Sequence, residues 1–400
     1  MPNDRLPAGP AQPACRPAPH TLHAARMDRR RLLAAAAVGL PWIGMRSSRA
    51  QEATIRIGQS VALTGAQGEN GTALAQGAKA AFAAINARGG VHGRSIELLT
   101  QDDAYEVPKA VANMERFLAD RDTFALFTCM GTPTIGAMMP KVIESGIPFF
   151  APFTGAQLAH PKNARNVFNI RASYADETSK LMQHLVTIGI QRIGVAYMNN
   201  AFGQEVLNAA KQFLDRLKLP EAIAVPVDAS ASDAGAAAAK LAGGHFGGLV
   251  LGLAGLPTLE FVKAMRAIDR SVTLYALSVS SATVKAMGAN ATGLVITQVV
   301  PLPSNVVTPV VRDFQAAWKA SGVAADPTHA ALEGYINARV FAEALQRAGR
   351  NPTRAAFIEA TWSLKKWDLG GYEIDASTPE RSASRFVEIT MVGPTGRFVR

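Results

Sequence analysis

The sequence predicts an α/β protein with two lobes, each built on a doubly wound parallel sheet. The chain has 400 residues, 48% of them hydrophobic, which is enough for two ordinary domains with cores of their own. Short, nearly continuous apolar strands alternate with helices from Thr54 onward, a pattern typical of parallel sheets covered on both faces. The alternation restarts after a looser stretch at residues 165–175, which indicates a second lobe.

The first lobe should begin with the strand TIRIG at Thr54 and a helix that Gly89-Gly90 ends. A second helix begins near Pro108, which suits a first helical turn, and a third ends near Glu144. Further strands are predicted at IELLTQ, FALFT and IPFFA. This order gives the repeated strand-helix-strand units of a parallel sheet.

The second lobe should repeat the same pattern. Its predicted helices are 176–188, 204–217 and 233–241, and its predicted strands are RIGVAYM, IAVPV, GLVLGLA, VTLYAL and GLVITQVV. Three further helices follow at 308–320, 329–348 and 353–364, and then a strand-rich tail that contains RFVEITMV.

Helices with no strand between them have no sheet of their own to cover, so we expect the C-terminal helices to pack on the first lobe rather than form a third domain. The chain then passes between the lobes three times, near Arg171, Val300 and Gly370. The predicted first lobe comprises residues 53–171 plus 300–369, and the predicted second lobe comprises residues 172–299 plus 370–400.

The net charge of +10 would suit a nucleic-acid-binding protein if it were spread over the fold. Residues 1–50, however, contain eight Arg, no Lys and two Asp, a net charge of +6 that leaves +4 for the remaining chain. The folded part therefore has an ordinary surface charge, and no nucleic-acid partner is expected.

Residues 1–50 are typical of an N-terminal extension with a cleaved export signal. Arg29–Arg31 precede a weakly polar to apolar run at residues 32–45. The small residues Ser48 and Ala50 follow, at the two positions that a signal peptidase recognises. The arginine pair resembles a twin-arginine signal, and a general secretory route stays open. We expect translation to start at Met27.

The cysteines agree with export to a bacterial periplasm. Cys15 lies in the segment expected to be removed, so Cys129 would stand alone and no disulfide is expected. No cysteine follows the cleavage position, so no lipid anchor is expected. We expect this exported protein to be a monomer.

No motif assigns a catalytic residue, a metal or a cofactor. The loop at residues 65–71 lacks both the Walker pattern and the GxG of dinucleotide sites, and the histidines are scattered singly. Cys129 has no indicated base, and no GxSxG elbow occurs. We therefore expect no enzymatic activity.

Uncharged polar and aromatic residues recur at the predicted strand ends of both lobes. Because the carboxyl ends of parallel strands converge on one crevice, these residues predict a ligand site between the lobes. The candidate site residues are Asn70, Tyr105, Gly131, Thr132, Phe153, Thr154 and Gly155 in the first lobe, and Phe202, Ala254 and Ser278 in the second.

The sequence resembles the branched-chain amino acid (Leu/Ile/Val-binding, type I) periplasmic substrate-binding proteins of ABC importers. The resemblance covers nearly all of residues 53–400 and is carried by IRIGQSVALTGAQGENG, AAINARGGVHGRSIELLTQDDA, CMGTPT, GIPFFAPFTGA and NNAFGQE. It implies two lobes with three crossovers, a small organic ligand in the cleft, hinge closure over it, and delivery to a membrane permease.

The resemblance also implies roles for the site residues. Thr132 and the segment Phe153–Gly155 match the loops that hold a ligand carboxylate, and Phe202 matches an aromatic residue that covers the ligand. The family's second-lobe acidic residue, which meets an ammonium group, aligns with uncharged Ser278, while Ala254 or Gly255 replaces an assisting tyrosine. An amide or an aliphatic or aromatic carboxylate therefore fits better than an α-amino acid.

Two other functions remain open from the sequence. A sensory or receptor module could use the same fold and cleft, and an exported enzyme could use the cleft with Cys129 or a serine as nucleophile.

Overall fold

The computed structural model describes residues 54–378 and 382–400. The export segment expected at residues 1–50 and the start expected at Met27 lie outside the described residues. Within the described part, no helix is both long and apolar enough to cross a membrane.

The first lobe surrounds a five-stranded sheet in which all neighbouring strands are parallel. Its strands are β1 (Ile55–Val61), β2 (Ile96–Asp102), β3 (Thr123–Phe127), β4 (Phe149–Phe150) and β5 (Val167–Phe168), in the order β2-β1-β3-β4-β5. Helices α1 (Gly68–Ala87), α2 (Val107–Ala119) and α3 (Thr132–Ser145) connect the first four strands. The sheet confirms the predicted parallel, doubly wound class for this lobe.

The second lobe surrounds a seven-stranded sheet, in which the five strands that come first in the sequence are parallel to one another. Those strands are β6 (Ile193–Met198), β7 (Ile223–Val227), β8 (Gly248–Gly252), β9 (Thr273–Ala276) and β10 (Val295–Gln298). The helices are α4 (Tyr174–Thr187), α5 (Ala201–Arg216), α6 (Ala234–Ala242), α7 (Leu256–Ile268) and the single turn α8 (Val284–Met287).

The C-terminal part contributes to both lobes. Its elements are α9 (Pro309–Ala320), α10 (His329–Ala348), α11 (Arg354–Trp362), β11 (Trp367–Asp368), β12 (Glu373–Ile374), β13 (Glu388–Val392) and β14 (Phe398–Val399). Phe314, Phe341 and Phe357 of the three helices lie in one hydrophobic cluster with Phe127 of β3. β13 pairs antiparallel with β10 and β14 pairs antiparallel with β13, so the tail completes the second sheet.

Helices α1 and α10 cross at van der Waals contact because each has a glycine at the crossing. A Cβ atom at Gly77 would overlap the carbonyl oxygen of Ala331, and one at Gly334 would overlap that of Leu74. This contact packs the middle of α1 against the first half of α10, and the first turns of both helices line one common space.

The third passage between the lobes lies later than Gly370, where the sequence predicted it. Tyr372, Ile374 and Ala383 are buried in the first lobe's cluster, and the backbone N–H of Ser384 donates to the carbonyl of Ile170 at 2.8 Å. The chain therefore leaves the first lobe after residue 384, because these apolar side chains are buried on that lobe.

Three elements of the described chain went unpredicted, one of which is the single turn α8. Helix α7 lies between β8 and β9, and the two-residue strand β5 lies inside the stretch that the sequence indicated as loose. Helix α5 begins at Ala201 rather than at residue 204, so Phe202 lies in its first turn.

Candidate functional site

A small cavity lies between the lobes at the carboxyl ends of both sheets, and residues from both lobes line it. About 20 Å³ of it is available to the centre of a water molecule. Its lining residues are Gln67, Asn70, Tyr105, Met130, Gly131, Thr132 and Phe153 of the first lobe, and Tyr174, Phe202, Ala254 and Val279 of the second. Seven of these were candidate site residues from the sequence, and Val279 lies in the strand-end segment 278–280 that also predicted the cleft, whereas Gln67, Met130 and Tyr174 were not predicted.

The N-terminus of α3 forms one wall of the cavity. Gly131 precedes the helix with φ 105°, a conformation that favours glycine, and a Cβ there would overlap the ring of Tyr105. No side chain of the described residues caps this helix. Because Pro133 has no N–H, the backbone N–H groups of Thr132 and Thr134 are the donors of this turn that face away from the helix. Such a terminus favours anionic or carbonyl oxygens.

Thr154 positions Thr132 rather than lining the cavity itself. The two hydroxyl groups are 2.8 Å apart, and the Thr154 hydroxyl also lies 3.5 Å from the phenol oxygen of Tyr174. Gly155 lies behind the wall too, where its carbonyl accepts the N–H of Tyr174 at 2.8 Å and an added Cβ would come within 2.7 Å of that nitrogen. The glycine thus permits close approach of the first passage to the loop.

Two aspartates at the end of β2 hold the loop that carries Tyr105. Asp103 accepts from the backbone N–H of Tyr105 at 2.9 Å and from the Ser60 hydroxyl at 2.7 Å, while Asp102 accepts from the N–H of Leu63 at 2.8 Å. These bonds stabilise the left-handed conformation of Tyr105, φ 63°. Hydrogen bonds, first that from Thr64, lower the pKa of Asp102 to about 2, whereas burial raises that of Asp103.

Polar groups of the first lobe face the cavity without partners in the described residues. Asn70 is only 5% exposed, and its side-chain amide makes no hydrogen bond to another described residue. Gln67 directly precedes α1, three residues before Asn70, and also lines the cavity. The Tyr105 hydroxyl is also unpaired there, and burial raises its pKa, so it stays a neutral donor. These three groups can bind a ligand's oxygen or amide atoms.

The second lobe contributes an apolar wall. The rings of Phe202 and Tyr174 meet edge to face at 4.8 Å, and both are buried. Ala254 and Val279 complete this side. Across the cavity, Phe153 lies beneath the guanidinium of Arg171, 4.8 Å from its ring centre. The charge of Arg171 is therefore behind the wall and not in the cavity.

Ser278 does not line the cavity, in contrast to its predicted position. Its backbone N–H and its hydroxyl donate to the carboxylate of Glu177 at 2.9 and 3.0 Å, and its hydroxyl accepts from Arg171 at 2.5 Å. Ser278 is therefore committed to a buried ion-pair network. It leaves Val279, an apolar residue, facing the cavity.

That network joins the lobes beside the first passage. Arg171 lies 3.4 Å from Glu177 of α4 and 3.6 Å from Glu333 of α10, with all three side chains at most 6% exposed. Burial raises the pKa of Glu333 to about 7, and burial also raises that of Glu177. Burial lowers the pKa of Arg171, but the two carboxylates outweigh it and the net shift is upward.

Neither metal binding nor thiol chemistry is indicated at this site. In residues 54–378 and 382–400, no group of three His, Cys, Asp or Glu side chains could hold a metal ion. Cys129 is buried, accepts the N–H of Ser60 at 3.4 Å, and has a pKa raised to about 12 by burial. Its sulfur is therefore a protonated packing group rather than a nucleophile.

Comparison with known proteins finds similarity over nearly all of the described chain. The family model "Periplasmic binding protein" matches residues 54–397. A curated relative, the Leu/Ile/Val-binding protein homolog 2 of Brucella abortus (strain 2308), is 26% identical over 197 residues, which are 47% of this chain and 51% of the relative. The match thus spans about half the length of the curated relatives.

Solved structures are similar along the whole fold. A substrate-binding periplasmic protein from Ralstonia solanacearum has a TM-score of 0.81 and 32% identity, covering 86% of this chain and 99% of that one. A possible leucine/isoleucine/valine-binding protein from Rhodopirellula baltica SH 1 has a TM-score of 0.81 and 25% identity, covering 88% and 97%.

Proposed function

The chain belongs to the periplasmic binding protein family, and we propose that it captures a small organic solute between its lobes and delivers it to an ABC import permease. The observation that carries this proposal is the cavity at the converging strand ends, because both lobes line it and a free helix N-terminus opens into it.

The lining favours a ligand with a carboxylate or an amide group. The N–H groups at the start of α3 and the Thr132 hydroxyl can donate to its oxygens. The Asn70 amide can pair with either an oxygen or an N–H group. The aromatic and aliphatic wall of Phe202, Ala254 and Val279 suits the apolar remainder. Solutes of this class include amides and aliphatic or aromatic acids.

An α-amino acid fits less well because its ammonium group needs a carboxylate. No acidic side chain is among the lining residues of the described chain. Glu177 is committed to Arg171, Ser278 and Thr297, and Asp103 to Ser60 and Tyr105. Burying an unpaired ammonium costs several kcal/mol.

Ligand entry requires the lobes to separate. The cavity holds about one water molecule at 20 Å³, and its two walls belong to different lobes. The three passages of the chain beside Arg171, Val300 and Ser384 would serve as the hinge. Closure would then bring surfaces of both lobes into the arrangement that a permease recognises.

The remaining parts of the proposal concern the cell. We propose that residues 1–50 direct export, by the twin-arginine or the general secretory route, and are removed in the periplasm. We also propose that the protein acts as a monomer without a catalytic step of its own.

A thermal-shift panel on unfolded and refolded protein tests the proposal. Refolding removes carried-over solute, and the panel contains short amides, aliphatic acids, aromatic acids and leucine. A solute at a hundredfold excess over its dissociation constant should add about 2.7 kcal/mol to the free energy of unfolding. The proposed role would be contradicted if no solute in the panel stabilised the protein. It would also be contradicted if the protein chemically converted one of the solutes.

A further inference from the structure

We propose that the ligand cavity continues into a side groove beside α1, and that the groove holds the apolar tail of an elongated carboxylate or amide. This inference rests on the proposed function and narrows its ligand class.

The side groove is much larger than the cavity. Its volume is about 400 Å³, against about 20 Å³ for the cavity measured in the same way. Ligand sites of drug-sized molecules occupy about 300–1,000 Å³. The first lobe lines it with the N-terminal turns of α1 and α10 and with residues 302–304, and the second lobe with Ser281, Ala282 and residues 396–398. The groove, unlike the cavity, has room for a chain of several carbon atoms beyond the part of the ligand that the cavity walls contact.

Asn70 is shared by the linings of the two spaces. Ala73 lines the groove three residues later. Residues three apart lie on the same face of a helix. A ligand whose head binds Asn70 and the α3 terminus can therefore extend along this face of α1 without passing through a packed core.

The groove wall combines apolar with uncharged polar side chains, and its charged side chains are exposed. The uncharged polar lining residues are Asn70, Ser281, Ser304, Gln315, Thr328 and His329. Its apolar lining residues are Ala73, Ala282, Leu302, Pro303, Ala330 and Phe398. Its charged residues Glu69, Asp326 and Arg397 are all exposed, so water can solvate them at the rim. This distribution suits an uncharged tail better than a second ionic group.

His329 belongs to the apolar wall despite its polar ring. It is buried, its ring meets that of Phe398 edge to face at 4.9 Å, and its Nε2 has no hydrogen-bond partner in the described residues. Burial lowers its pKa to about 3, so the ring is neutral at ordinary pH. Because His329 belongs to the first lobe and Phe398 to the second, their contact closes the groove when the lobes are together.

Straight-chain carboxylates of increasing length test the extension. On refolded protein, calorimetric titration with butanoate, hexanoate, octanoate and decanoate should show the dissociation constant falling about fourfold per added methylene until the groove is filled. Ala73→Phe and Ala282→Phe fill the groove from opposite lobes. Each should weaken octanoate binding at least about tenfold and leave butanoate within about twofold, since only the tail loses its place.

Ala83→Phe is the matched control, because Ala83 is exposed on α1 outside the groove and the same bulk there should leave all four affinities unchanged. Butanoate binding reports that each variant is folded. If butanoate binds but longer chains gain nothing, or if both groove variants keep full octanoate affinity, the extension is refuted and the proposed function stands. If no carboxylate of any length binds, the proposed ligand class fails together with the extension.

Discussion

Glu333→Gln should make the stability of the protein less dependent on pH. The Glu333 side chain is buried, its Oε1 has no hydrogen-bond partner in the described residues, and Arg171 is 3.6 Å away. Burial raises its pKa from 4.5 to about 7, with the nearby charge of Glu177 adding to the rise. The folded protein therefore holds this proton in a range where the unfolded chain has lost it.

The sign follows from proton counting. Below pH 4.5 the carboxyl group is protonated in both states and contributes no pH dependence. Between pH 4.5 and about 7 the folded state binds more protons, so the free energy of unfolding falls as pH rises. Above pH 7 both states are ionised and the loss is complete. The difference in pKa corresponds to roughly 3 kcal/mol at 1.36 kcal/mol for each tenfold change in proton affinity.

Urea denaturation at pH 4.5 to 8 measures this directly. The free energy of unfolding of Glu333→Gln minus that of the unmodified protein should rise with pH by roughly 3 kcal/mol, because glutamine has no proton to lose. Glu343→Gln is the control on the same helix, since that carboxylate is partly exposed and lies 2.7 Å from Arg347. Parallel pH profiles for Glu333→Gln and the unmodified protein would refute the reasoning.

Three further substitutions probe the site and the fold. Thr132→Val should weaken binding of the identified solute about five- to tenfold by calorimetry, as loss of one hydrogen bond would; unchanged affinity would remove Thr132 from the site. Phe202→Ala should weaken it at least about tenfold, because the residue is 3% exposed and forms the apolar wall, whereas an equal dissociation constant would place the ligand elsewhere. Gly77→Ala should lower the free energy of unfolding by about 2 kcal/mol or more, since its Cβ would overlap the Ala331 carbonyl. Gly235→Ala in α6 is its control, because a Cβ added there would have no atom of the described residues within 4 Å outside its own helix and chain neighbours. An equal loss of unfolding free energy in both variants would contradict the close-contact argument.

Much of the site could be predicted because it follows from strand ends. Thr132, Phe153 and Phe202 come directly after strands or at the start of the next helix, and parallel sheets bring such positions together. Helix α7 could also have been found. Its Phe261, Val262 and Met265 are buried at helical spacing, and its Pro257 lies in the first turn.

The remaining residues depend on contacts between distant segments. Tyr174 reaches the cavity only because the first passage brings α4 against Gly155. Ser278 lies outside the cavity lining because it donates to Glu177, a residue 101 positions earlier in the chain. No local pattern encodes that pairing. The strand-like tail likewise gave no indication that Tyr372 and Ile374 would stay with the first lobe, since burial there depends on the packing of the whole cluster.

The ligand chemistry is tested most directly by comparing leucine with 4-methylpentanoate, which differs from leucine only in lacking the ammonium group. Both should be titrated calorimetrically into refolded protein at the same pH. With no acidic side chain among the lining residues of the described chain, 4-methylpentanoate should bind at least about tenfold more tightly. Tighter binding of leucine would contradict the account, because an unrecognised carboxylate would then have to meet its ammonium group.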